Sequence, residues 1–233
     1  MTSPLLLKFS SVGNLKYNDS SEQSQPFGEN LGVLYIGKRS SNSLQFGSFV
    51  RKLTHDEITS LRLPRDRAAS AQRSPVLGLL DNIRSLYNVG SIFRTSDGAL
   101  VQGLYLCGYT PHPPRKEIEK TALGTTLTVP WKYFRDPLEA VQEARSRGAR
   151  ICVLELTTGS VPYYTARRSD FPLCLVVGNE IMGVSPSLVA QADMAIEIPM
   201  YGTKQSLNAA VAYGIALFEL LRIWRSSDQP VTS

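Results

Sequence analysis

The sequence predicts an α/β fold: a mostly parallel sheet with helices on both faces. Short apolar runs of strand length recur at Val76 to Leu80, Gly103 to Cys107, Arg150 to Leu154, Leu173 to Val177 and Ala195 to Ile198, and read as buried strands. Segments of helical length separate them, and this alternation is the pattern of βα units around a parallel sheet. No internal repeat interrupts it.

Residues 1 to about 48 are rich in Ser, Asn, Gly and Gln and read as loosely ordered, apart from a strand-like stretch at Gly32 to Ile36. Thr54 precedes Asp56 and Glu57 and then Ile58 and Leu61, the signature of a short N-capped helix that Pro64 would end. Leu86 to Leu100, Pro137 to Arg147 and Ser185 to Ala192 read as further helices. Leu207, Ala210, Val211, Gly214, Phe218 and Leu221 recur at three- and four-residue steps and mark a terminal helix, with Arg222 and Arg225 near its negative end. The expected organisation is an extension over residues 1–75 and a main domain over 76–226.

The chain has 233 residues, 42% of them hydrophobic, enough to bury a core. Up to residue 75 there are ten basic against six acidic residues, and beyond it fifteen against fourteen, so most of the net charge of +5 sits in the extension. Attraction to RNA phosphates and a solvated basic tail both account for that excess. Cys107, Cys152 and Cys174 are odd in number and widely spaced, with only His55 and His112 as imidazoles, which argues against a zinc site or disulfide framework. The apolar run Leu5 to Leu7 is too short for a secretory signal, and nothing approaches the ~20 apolar residues of a membrane span. The expectation is a cytoplasmic protein without metal or membrane.

Three polar, glycine-bearing segments fall where a strand gives way to a loop or helix, the position at which open α/β sheets bind ligands. The first runs from Asp81 to Thr95 and contains Asn82, Asn88 and Arg94 at steps of six. Val89, Ile92 and Phe93 would face the core there, turning Arg94 elsewhere. The second, Val176 to Pro186, carries Gly178, Glu180 and Gly183, and lacks the G-x-G-x-x-G fingerprint of a nicotinamide dehydrogenase. The third, Ile198 to Ala210, contains Met200, Gly202, Ser206, Leu207 and Asn208, with Ser206 a candidate helix cap. Taken singly, each of these residues also fits a structural role: turn, cap, surface charge or ordinary core.

Together the three segments resemble the SpoU family of the SPOUT methyltransferases over about residues 76 to 224. Asn82, Asn88, Gly90 and Arg94 match its first motif, Gly178, Glu180 and Gly183 its second, and Ile198-Pro199-Met200, Gly202 and Ser206-Leu207-Asn208 its third. Ala209 stands where the family often has valine. The resemblance implies a deep trefoil knot over about residues 173 to 224, a homodimer, and S-adenosylmethionine held by the backbone around Leu156, Gly178, Ile198, Met200 and Leu207. It implies methyl transfer to a ribose 2′-hydroxyl of tRNA or rRNA. Arg94 would be essential, Asn88 would position it or the hydroxyl, Ser206 and Asn208 would shape the substrate side, and Glu180 would hold the loops or the dimer together. A catalytically idle RNA-binding protein and an RNA base methyltransferase of the same fold remain alternatives at this point. Arg115, Lys116 and Lys120 form a further basic stretch, read as a loop that either touches phosphates or is simply solvated.

Overall fold

Strand β1 (Ser74–Asp81) is the hinge of the architecture, because it pairs on one side with the next strand in sequence and on the other with one nearly a hundred residues later. The computed structural model describes residues 50–68 and 70–226; the Gly32 to Ile36 stretch lies outside them. In chain order the elements are α1 (His55–Ser60), α2 (Arg65–Ala68), β1, α3 (Leu86–Gly98), β2 (Val101–Cys107), α4 (Lys116–Ala122), β3 (Trp131–Phe134), α5 (Pro137–Ser146), β4 (Arg150–Leu154), β5 (Val161–Pro162), β6 (Leu173–Val177), α6 (Pro186–Val189), β7 (Met194–Glu197) and α7 (Ala209–Ser226). The strands form one sheet in the order β3-β2-β1-β6-β4-β7-β5, and every pairing is parallel.

Successive strand residues point to opposite faces, so each apolar run feeds two cores. Val76 and Leu80 of β1, with Leu104 and Leu106 of β2 and Leu173 and Leu175 of β6, pack under α3, α4 and α7. Leu77 and Leu79, with Cys174, Val176, Ile151 and Val153, pack under α5 and Leu188 of α6. Helices therefore cover both faces, as expected. Inside the first core the hydroxyls of Ser96 and Tyr213 share a 2.8 Å hydrogen bond, which ties α3 to α7 and satisfies both buried groups.

Several elements differ from the sequence reading. The stretch from Arg115 to Lys120 is no loop: Lys116 and Lys120 lie on α4, which buries only Ile118 and Ala122, one turn apart. Strand β3 is exposed over three of its four residues, so its sequence lacks the apolar run of a central strand. Helix α1 has the expected Thr54 cap, extended to a reciprocal box in which Thr54 Oγ1 accepts from Glu57 N and Glu57 Oε2 accepts from Thr54 N, but it ends at Ser60, well before Pro64. The helix expected over Ser185 to Ala192 is a single turn, Pro186–Val189. The last helix begins at Ala209 and is capped by Asn208, not Ser206: Asn208 Oδ1 accepts from Ala210 N at 3.0 Å and Val211 N at 3.3 Å. Its buried stripe is Tyr213, Ala216, Leu217, Leu220 and Leu221, whereas Val211 and Phe218 are about half exposed, at 51% and 49%. Arg222 is engaged by Glu219 one turn earlier.

No helix among the described residues is long and apolar enough to cross a membrane. No cluster of three or more His, Cys, Asp or Glu suited to a metal occurs among them either.

Candidate active site

The C-terminal ends of β4, β6 and β7 open into a cavity of about 270 Å³. This is the sheet edge where a crevice is expected, because the chain leaves β1 outward through β2 and β3 and then returns on the other side. Leu156, Gly178, Ile198, Met200 and Leu207 all line it, together with Glu180 and Ser206. Asn88, Asn208 and Arg94 do not.

The loop after β6 is folded by Asn179, which is nearly fully buried. Its Oδ1 accepts from the N–H groups of Ile181 and Met182 at 2.9 Å, and its Nδ2 donates to Asn82 O and Tyr109 Oη at 2.8 Å. Two glycines permit the turn. Gly183 adopts φ +70°, and a Cβ on Gly178 would lie 2.1 Å from Gly183 C and 2.2 Å from Val184 N. Glu155, just past β4, braces the same turn by accepting from Val184 N at 2.9 Å and Leu156 N at 3.0 Å. The buried carboxylate of Asp81 accepts from Ser185 N at 2.7 Å and Asn82 Nδ2 at 2.8 Å, joining the loops after β1 and β6.

A second set of bonds links all three predicted segments. Glu180 accepts from Arg84 N at 2.9 Å, Ser85 N at 3.1 Å and Asn88 Nδ2 at 2.9 Å. Asn88 Oδ1 in turn accepts from Asn208 Nδ2 at 3.0 Å. The polarity of this chain is fixed: an ionised carboxylate only accepts, so Asn88 turns its NH₂ to it and its oxygen to Asn208, whose own oxygen caps α7. Partial burial pushes the Glu180 carboxyl up, but the hydrogen bonds from the Arg84, Glu180 and Ser85 backbone and the Asn88 amide outweigh it and hold the group below the usual carboxylate range.

Arg94 stands apart from this arrangement. Six residues along α3 from Asn88 amount to roughly 9 Å and about 120° of rotation, so the two side chains leave different faces. Val89, Ile92 and Phe93 are fully buried, and Arg94 is exposed at a second cavity on the far side of α3. Asp81, Glu155 and Asn179 carry no role in the sequence reading. The acidic residues directly after the apolar runs of β1 and β4 were the available signal for two of them.

The charge of the cavity narrows its ligand. Glu155, Glu180 and Glu197 line it, with no lysine or arginine among its described lining residues, and the remaining walls are largely apolar. Such a site disfavours phosphates and suits a cationic ligand with an apolar or aromatic part. The fold and the cavity thus define a parallel α/β domain with a strand-end ligand site closed by three interlocked loops.

The SpoU rRNA Methylase family model matches residues 75–218, and the chain belongs to this family. The tRNA (guanosine(18)-2′-O)-methyltransferase of Aquifex aeolicus is 38% identical over 169 residues, covering 71% of this chain and 78% of that protein. The 23S rRNA (guanosine(2553)-2′-O)-methyltransferase of Bacillus subtilis is 28% identical, covering 75% of this chain and 68% of that one. Among solved structures, an AdoMet-bound rRNA methyltransferase from Sinorhizobium meliloti superposes with a TM-score of 0.60 at 32% identity, over 65% of this chain and 57% of its own.

Proposed function

We propose that this protein transfers a methyl group from S-adenosylmethionine to a ribose 2′-hydroxyl of tRNA or rRNA. The observation that carries the reading is the convergence of the three motif loops: Gly178, Ile198, Met200, Leu207 and Leu156 wall one acidic cavity, and Glu180, Asn88 and Asn208 lock its rim. The walls fit the cofactor, since apolar side chains suit an adenine and three carboxylates suit a sulfonium and an ammonium. Relatives named as 2′-O-methyltransferases of tRNA and rRNA, and neighbours with bound AdoMet, support the same reading.

When bound, the cofactor supplies an electrophilic methyl for in-line displacement by the hydroxyl oxygen, a reaction that needs no metal. The protein's part is alignment and exclusion of water. The tight approach of Gly178 to Gly183 and Val184 holds the cavity wall, and the Glu180–Asn88–Asn208 chain holds the α3 and α7 starts against it. The exposure of Ser206 at the cavity supports a role for it in shaping the substrate side. Arg94 stabilises the developing alkoxide electrostatically through its guanidinium.

Arg94 borders no part of the cavity of its own chain, so the reading requires a homodimer in which Arg94 of a second copy completes the site. Val211, Ile215 and Phe218 support this: they leave one face of α7 at i, i+4 and i+7 and remain 51%, 37% and 49% exposed. The reading also includes a trefoil knot over about residues 173 to 224, supported by the insertion of β6 between β1 and β4 and the return of α7 to α3. It places the protein in the cytoplasm, with the residue 1–75 extension assisting RNA binding. Transfer of labelled methyl from S-adenosylmethionine to RNA, with the label recovered on ribose, tests it.

A further inference from the structure

The second cavity, about 700 Å³, lies between the α1–α2 segment and the C-terminal turns of α3, α4 and α7. Three arginines line it, from segments far apart in sequence: Arg62 after α1, Arg94 on α3 and Arg225 at the end of α7. All three residues are exposed, and among the described residues no guanidinium of the three has an ion-pair or hydrogen-bond partner. The single carboxylate in the wall, Asp97, already accepts the Thr128 hydroxyl at 2.5 Å. Helix C-termini attract cations, but only through partial charges that fade within a turn, and among the described residues none of these guanidinium groups donates to a helix carbonyl. Among its described lining residues this cleft thus carries three arginines against one carboxylate, the reverse of the acidic cavity across α3. Leu63, Leu100 and Leu123 supply apolar wall between the arginines.

We infer that this cleft binds the phosphate backbone of the substrate RNA, with Arg62 and Arg225 as positioning residues that carry the strand to Arg94. The inference rests on the methyltransfer reading for its substrate. Planar guanidinium forks match phosphate oxygens in pairs, and three in one cleft suit two or more successive phosphates. Arg62, Leu63 and Ala68 thereby become part of the substrate site.

The test is the salt dependence of binding of unfractionated tRNA to the full chain, comparing wild type with Arg62→Ala/Arg225→Ala and with Arg62→Lys/Arg225→Lys. Each lost phosphate contact reduces the slope of log K against log salt by about 0.7–0.9. The alanine pair is expected to flatten the slope by about 1.4–1.8 and to raise KM for RNA at nearly constant kcat and unchanged S-adenosylmethionine affinity. The lysine pair is expected to retain most of the slope, which separates lost charge from lost folding. An unchanged slope in the alanine pair overturns the inference. So does a shift from dimer to monomer at unchanged slope, which would assign the cleft to a protein partner. A flattened slope in a protein that methylates no ribose would leave the cleft standing and remove the methyltransfer reading instead.

Discussion

Glu180 and Asn88, 92 residues apart in the chain, meet through a 2.9 Å hydrogen bond from Nδ2 to Oε1. That bond orients the Asn88 amide and, through it, the 3.0 Å bond from Asn208. Glu180→Gln places an amide NH₂ among donors from Arg84, Ser85 and Asn88, so one donor must face another. Because the site is exposed and water can take up a lost partner, we expect a loss of only about 0.5–1 kcal/mol in stability by chemical denaturation and at least a tenfold fall in methyl transfer.

The same carboxylate sets a pH dependence. Its carboxyl is held below the ordinary range in the folded protein, so its stabilising contribution is fully present above the unfolded value and is lost as pH falls through the lowered folded one. The stability difference between wild type and Glu180→Gln should therefore be constant near neutrality and shrink on the acid side of the normal carboxylate range. A difference that grew toward acid pH would contradict this assignment.

Gly178→Ala tests the cavity wall. Its Cβ would sit 2.1 Å from Gly183 C, where only backbone can give way, whereas a Cβ on Gly159 meets nothing within 4 Å. Isothermal titration with S-adenosylmethionine should show affinity reduced by about tenfold or more, equivalent to 1.4 kcal/mol, for Gly178→Ala and unchanged for Gly159→Ala.

Tyr213→Phe separates stability from function. It leaves the buried Ser96 hydroxyl without its 2.8 Å partner, and neither residue lines the cavity. The expected result is a loss of about 1–2 kcal/mol in thermal or chemical unfolding, with cofactor affinity retained.

The composite site predicts complementation between two defective chains. Mixing Arg94→Ala with Gly178→Ala, after partial denaturation and refolding to exchange subunits, pairs one intact cavity with one intact arginine. Activity should reappear in the mixture. Two chains that remain inactive together, although shown to have exchanged, would put Arg94 and the cavity to work within one subunit.

Much of this architecture was legible because buried strands announce themselves as apolar runs: β1, β2, β4 and β6 fall within a few residues of their expected places. Helix α4 was not, since Ile118 and Ala122 are its only buried residues and the charges between them read equally well as a loop. The same holds for β3, whose exposed Trp131, Lys132 and Tyr133 show no buried periodicity. At the site, Gly178, Ile198 and Met200 are recognisable from motif pattern, while the roles of Asp81 and Glu155 are not, because their partners, Ser185 and Val184, lie 104 and 29 residues away. The division between the acidic cavity and Arg94 follows from the rotation of α3. The pairing of Arg94 with Arg62 and Arg225 in one cleft follows only from the packing of three distant segments.

The most direct test of the central claim is methyl transfer from labelled S-adenosylmethionine to total RNA from a strain lacking this protein, comparing wild type with Arg94→Ala and locating the label by nuclease digestion and mass spectrometry. The account predicts label on a ribose 2′-oxygen with wild type and its loss with Arg94→Ala. Label on a base, or RNA binding with no label at all, would contradict it.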